Sequence, residues 1–125
     1  MIRISIVGAT GYTGAELIRW LLRHPETAIM HCTSSSSAGK KVSSIHTEFE
    51  GRLDLTLETF SADKIARDTE LAFLCLPHAE SARTAVQLLK KGVRLIDLSA
   101  DFRLKNAAVY QKWYKVKHPA KAELG

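Results

Sequence analysis

A three-layer α/β domain around a mainly parallel sheet follows from three features of this chain. Short apolar runs alternate with stretches of helical period along its 125 residues, as in successive βαβ units. The run at 70–76, "ELAFLCL", shows no polar alternation, which suits a parallel strand buried on both faces. Glycines at positions 8, 11 and 14 sit directly after one apolar run and open a helical stretch. Hydrophobic residues make up 46% and charged residues 25%, so the chain can form one ordinary globular core. It reads as one domain spanning 1–125.

Each element has its own signal. Residues 2–7, "IRISIV", read as a buried first strand. From Tyr12 to His24 the apolar positions Leu17, Ile18, Leu21 and Leu22 fall at helical spacing, and Pro25 ends the helix. Residues 28–33 make a short second strand, followed by the polar loop "SSSSAGKK". Between 43 and 60, "SSIHTEF" suggests a helical turn and "LDLTLETF" alternates like a strand. Residues 61–67 suggest a short helix with Ser61 or Asp63 near its start. The strand at 70–76 is broken by Pro77-His78. A helix then runs from Glu80 to Lys91, with Ala82, Ala85, Val86 and Leu89 on one face and Gly92 capping its end. "VRLIDLS" at 93–99 is the next strand, and 106–114 a helix with Val109 and Trp113 on one side. The crossovers are expected to be right-handed.

Composition narrows the function classes. The net charge is +5, but the basic residues are dispersed and do not interleave with stacking aromatics, so no nucleic-acid partner is expected. No apolar run approaches the ~20 residues of a membrane span, and "MIRISIVG" enters a strand without a leader pattern. The two cysteines, Cys32 and Cys75, lie in apolar stretches and are expected to be reduced core residues of a cytoplasmic protein. The closing "KAELG" adds no element, which suggests a segment of something longer.

The glycine spacing carries the functional signal. G-x-x-G-x-x-G between a strand and a helix fits a Rossmann-type dinucleotide loop. Glycines let main-chain amides approach a diphosphate, and the helix presents its positive end to it. The competing reading is a glycine turn with only a packing role. An NAD site usually has Asp or Glu about 20 residues further on, bonded to the ribose 2′-hydroxyl. Here that stretch, "HCTSSSSAGKK", has no carboxylate and offers the hydroxyls of Thr33 to Ser37 and the ammonium groups of Lys40 and Lys41. Such donors accept a 2′-phosphate, so NADP is the expected cofactor; a serine loop contacting nothing is the bland alternative. Two more constellations fall at strand ends, where ligands bind in open parallel sheets. Pro77 and His78 border the cofactor, or His78 is simply a helix-start residue in water. "DLSADFRL", residues 97–104, gathers carboxylates, Ser99 and Arg103. Arg103 either grips a phosphate or carboxylate or pairs internally with Asp97 or Asp101.

The combination of "VGATGYTGAEL", "TSSSSAGKKVS", "LPH" and "IDLSADFRL", followed by "YQKWY" and a histidine, resembles the N-terminal part of the N-acetyl-γ-glutamyl-phosphate reductases. The likeness covers essentially the whole chain, and "DLSADFRL" is its most specific piece. It implies an NADPH-dependent reductase of arginine biosynthesis that converts an acyl phosphate to an aldehyde through a cysteine thioester. The implied assembly is a dimer or tetramer. It implies a Rossmann-type domain followed by a mixed α/β domain carrying that cysteine and a histidine. Carried over, Gly8, Thr10, Gly11, Tyr12, Thr13 and Gly14 form the dinucleotide loop. Ser34 and Ser36 approach the 2′-phosphate, Pro77 and His78 flank the cofactor, and Ser99 and Arg103 lie by the substrate. Ser35 stands where family members commonly have arginine, and Lys40 offers a nearby cation. The family's Asn-Pro-Gly-Cys segment lies further along than residue 125, so no catalytic residue is assigned here and the chain alone is expected to lack turnover. No metal is implied. The lysine-pathway reductase of a carrier-bound aminoadipyl phosphate shares nearly all these motifs. A stand-alone dinucleotide-binding domain without chemistry is the alternative from another class.

Overall fold

The computed structural model describes residues 1–77 and 79–99. His78, Arg103 and the helix expected at 106–114 lie outside the described residues. Strands β1 (Ile2–Val7), β2 (Thr27–Thr33), β3 (Leu71–Leu74) and β4 (Arg94–Asp97) form one parallel sheet in the order β2-β1-β3-β4. Helices α1 (Tyr12–Arg23), α2 (Val42–Ile45), α3 (Ala62–Asp68) and α4 (Glu80–Leu89) connect them, with a 3₁₀ turn at Thr47–Phe49.

Period-two alternation in β1 builds the three layers. Ile6 packs on one side of the sheet with Ile18 of α1 and with Val42, Phe49 and Leu57. Val7 packs on the other with Ile65 of α3 and with Ala85 and Leu88 of α4. Within β3, Ala72 and Leu74 are fully buried, whereas Leu71 and Phe73 are half-buried. The expectation of burial on both faces therefore holds fully for one face only.

Two readings from the sequence shift. On α4 the core-facing residue is Leu88, fully buried; Leu89 is 45% exposed. Helical spacing from Ser81 through Thr84 and Ala85 leads to Leu88, so the apolar stripe lies one residue earlier than Leu89 suggested. The alternating "LDLTLETF" does not become a named strand. It runs beside β2 through isolated bridges, Thr33 with Glu58 and Lys41 with Thr56. Ser34 donates to the Glu58 carbonyl at 2.9 Å and Glu58 to the Cys32 carbonyl at 3.0 Å. Helix ends follow their signals. The Ser61 hydroxyl accepts from the Lys64 amide to cap α3, and Gly92, at φ +79, closes the end of α4.

The chain places β2 on one side of β1 and β3 on the other. That reversal opens a crevice at the carboxyl ends of β1 and β3, where ligands bind in sheets of this type.

Candidate functional site

A cleft of about 310 Å³ lies at that reversal. Gly8, Thr10 and Gly11 of the β1–α1 turn form its floor; Thr33, Ser34 and Ser35 line it after β2, and Cys75, Leu76 and Pro77 after β3. Thr59 and Phe60, then Glu80 and Thr84 of α4, complete it.

The three glycines serve different ends. Gly8 has φ +85, and a Cβ there would lie 2.7 Å from the Cys75 carbonyl oxygen. Gly14 starts α1 hard against the turn, where a Cβ would stand 2.4 Å from the Ala9 carbonyl oxygen. Fold geometry alone demands both. Gly11 has an ordinary φ of −89, and a Cβ added there would meet nothing within 4 Å. Protein packing therefore does not require a glycine at this position.

The turn holds a row of unused donors. The amides of Thr10, Gly11, Tyr12, Thr13 and Gly14 donate to no acceptor among the described residues, and only at Ala15 does donation begin, to the Gly11 carbonyl at 3.1 Å. No acidic residue occupies the first turn of α1 and no side chain caps it. Unbonded amides at the positive end of a helix are the kind of group that anions bind. The turn itself is anchored, since Gly8 N–H donates to Thr33 Oγ1 at 3.2 Å and Ala9 N–H to the Thr33 carbonyl at 2.9 Å.

After β2, the buried Ser34 Oγ accepts from the amides of Ser37 at 2.9 Å and Ser36 at 3.3 Å. Its oxygen shapes the loop. No carboxylate lines this wall; Glu80, on the β3 side, is the one acidic residue of the lining among the described residues. The β2 wall thus lacks the acidic side chain that commonly holds a ribose diol. Lys41 is committed to Asp54 at 2.5 Å, while the Lys40 side chain is exposed.

Of the residues singled out from sequence, Gly8, Thr10, Gly11, Ser34 and Pro77 line the cleft together. Tyr12, Thr13 and Gly14 are not among its lining residues; their amides are unbonded at the start of α1, and Tyr12 is 95% exposed. Ser36 and Lys40 stand on the exposed side of the serine loop. Ser99 is buried, its amide donating to Asp97 Oδ1 at 2.8 Å, the same oxygen that accepts from Ser81 Oγ. His78 and Arg103 lie outside the described residues. Sequence reasoning missed Thr59, Phe60, Glu80 and Thr84, which reach the cleft from elements far apart in the chain. For Thr59 and Phe60 the usable signal was the alternating segment beside β2, which ends at the sheet's carboxyl edge.

Neither cysteine is poised for nucleophilic attack. Burial pushes the Cys75 thiol up to about 11, with Asp97 adding to it. Burial, then Glu58, pushes Cys32 up to about 12. Both stay protonated near neutral pH. Among the described residues no group of acidic, histidine or cysteine side chains could hold a metal ion.

Residues 3–113 match the model of the semialdehyde dehydrogenase NAD-binding domain. An N-acetyl-γ-glutamyl-phosphate reductase from Rhodopirellula baltica is 46% identical over 124 residues, covering 99% of this chain and 36% of the relative. A [LysW]-L-2-aminoadipate/[LysW]-L-glutamate phosphate reductase from Saccharolobus solfataricus is 48% identical over 118 residues, covering 94% of this chain and 34% of the relative. The chain thus spans about a third of the length of these relatives. Among solved structures, an aspartate semialdehyde dehydrogenase with NADP from Candida albicans superposes with a TM-score of 0.75. It is 23% identical and covers 86% of this chain and 32% of that one, a likeness of fold.

Proposed function

The chain belongs to the semialdehyde dehydrogenase NAD-binding domain family, and we propose that it is the NADP-binding part of an N-acetyl-γ-glutamyl-phosphate reductase. The whole protein then carries out NADPH-dependent reduction of N-acetyl-γ-glutamyl phosphate to N-acetylglutamate semialdehyde, in the cytoplasm and as a homo-oligomer. The observation that carries this reading is the row of unbonded amides from Thr10 to Gly14, in a turn where a Cβ at Gly11 would meet no protein atom.

In this proposal the amides of that row, with Gly8 shaping the turn, bind the pyrophosphate. Ser34, Ser36 and Lys40 receive the 2′-phosphate. Pro77 and His78 flank the cofactor, and Ser99 and Arg103 serve the acyl phosphate. The bound dinucleotide supplies the hydride. Residues 1–125 act as one cofactor-binding domain, and the nucleophilic cysteine belongs to a further domain, because Cys32 and Cys75 are held as thiols. The chain by itself is then inactive. Relatives named for a LysW-bound aminoadipate phosphate match about as well, so the lysine-pathway acyl phosphate is the second reading.

Titration calorimetry with NADPH and NADH tests the cofactor. NADPH should bind at least roughly tenfold tighter, about 1.4 kcal/mol, from its charge-assisted phosphate contacts. Equal affinities would remove the NADP assignment. Supplying N-acetyl-γ-glutamyl phosphate and NADPH to the chain should yield no aldehyde.

A further inference from the structure

The insert between β2 and α3 reaches back to the glycine turn through one side chain. His46, between α2 and the 3₁₀ turn, places Nε2 2.8 Å from the Ala9 carbonyl oxygen. A carbonyl only accepts, so Nε2 is the protonated nitrogen. The ring is held edge-on against Phe49, with centroids 6.1 Å apart at 82°, and Phe49 is fully buried. The donor is therefore fixed in place before any ligand arrives.

Its acceptor sits at the critical peptide. Ala9 is completely buried, its amide donates to the Thr33 carbonyl, and its carbonyl faces Gly14 on one side and His46 on the other. A trans peptide is planar, so its C=O and the following N–H point in opposite directions. Holding the Ala9 carbonyl toward α1 and the insert turns the Thr10 N–H away from them. Thr10 lines the cleft, and its amide has no acceptor among the described residues. Were this peptide to flip, the carbonyl oxygen would face the incoming phosphates instead.

We propose that His46 is a positioning residue for the phosphate cradle, locking the Ala9–Thr10 peptide so that the Thr10 N–H is presented to a pyrophosphate. The inference rests on the dinucleotide reading above and adds to it a residue that is not part of the cleft lining.

The test compares NADPH with adenosine 2′-phosphate, which has no group for the glycine turn. His46→Leu keeps bulk and loses the donor. His46→Asn is too short to reach Ala9, and His46→Gln puts an N–H near the Nε2 position. Leu and Asn variants should weaken NADPH binding roughly three- to tenfold, the worth of one hydrogen bond, and leave adenosine 2′-phosphate unchanged. The Gln variant should bind NADPH like the unmodified protein. Imidazole ¹⁵N spectra of the unmodified protein should show the proton on Nε2. The proposal is overturned by Leu and Asn variants that bind NADPH normally, by equal weakening of both ligands, or by an Nδ1-protonated ring. Unmodified protein that binds no NADPH at all would instead remove the dinucleotide reading on which the proposal stands. If His46→Leu does not fold, the Asn and Gln pair decides the question.

Discussion

Gly11 and Gly14 sit three residues apart and should answer substitution in opposite ways. A side chain at Gly11 meets no protein atom within 4 Å, so Gly11→Val should fold with a melting temperature within a few degrees of the parent. It should nonetheless fail to bind NADPH in calorimetry, because the isopropyl group fills the approach to the amides. Gly14→Ala drives a methyl to 2.4 Å from the Ala9 carbonyl oxygen. It should cost about 1–3 kcal/mol, the usual penalty of overpacking, read as a fall in the urea midpoint. The thiols offer a pH test at the same scale. Burial favours their neutral form, and the folded-state value near 11 for Cys75 lies above that of an unfolded thiol. Their contribution to stability is therefore complete below the unfolded value and is lost as pH rises toward 11. Native protein at pH 8 should react slowly with Ellman's reagent, since about one Cys75 in a thousand is ionised there, while denatured protein should titrate both of its cysteines.

The edge beside β2 is held by a chain of polar side chains in addition to its few backbone hydrogen bonds. His31 of β2 places Nδ1 2.6 Å from a Glu58 oxygen and Nε2 2.7 Å from an Asp68 oxygen at the end of α3, and Glu58 also pairs with Lys64. This fastens the segment whose next residues, Thr59 and Phe60, wall the cleft. Burial alone would raise the Glu58 carboxyl, but the hydrogen bonds from Lys64 and His31 outweigh it and hold the group below the ordinary range. A carboxyl lowered in the folded state stabilises above its unfolded value, and that contribution is lost as pH falls through the folded value. Melting temperature should thus decline on acidification below the usual carboxylate range, and Glu58→Gln should flatten part of that decline. An unchanged slope in the variant would show that the Glu58 carboxylate contributes nothing there. The period-two pattern of 53–60 marked this segment as extended; its membership of the site needed Glu58 to be brought beside Thr33.

For the whole molecule, ligand binding and stability are linked. A dinucleotide that binds only the folded chain, at about a hundred times its Kd, adds roughly 2.7 kcal/mol. NADPH should therefore raise the melting temperature by several degrees, and Gly11→Val should abolish the increase without lowering the baseline. No helix among the described residues is long and apolar enough to cross a membrane. The α/β class, the order of β1 to β4 and their main helices, the glycine turn and the absence of a carboxylate after β2 were all legible in the sequence. They are written in local spacing, and backbone geometry reads local spacing directly. Other features belong to the packed chain alone: the separate duties of the three glycines, the placement of Leu88 rather than Leu89 in the core, and the contacts of His46 and His31. The contacts of Gly8 with Cys75, of His46 with Ala9 and of His31 with Glu58 and Asp68 join residues tens of positions apart across a sheet whose strand order is not its chain order, and periodicity along a single segment carries no record of such a meeting.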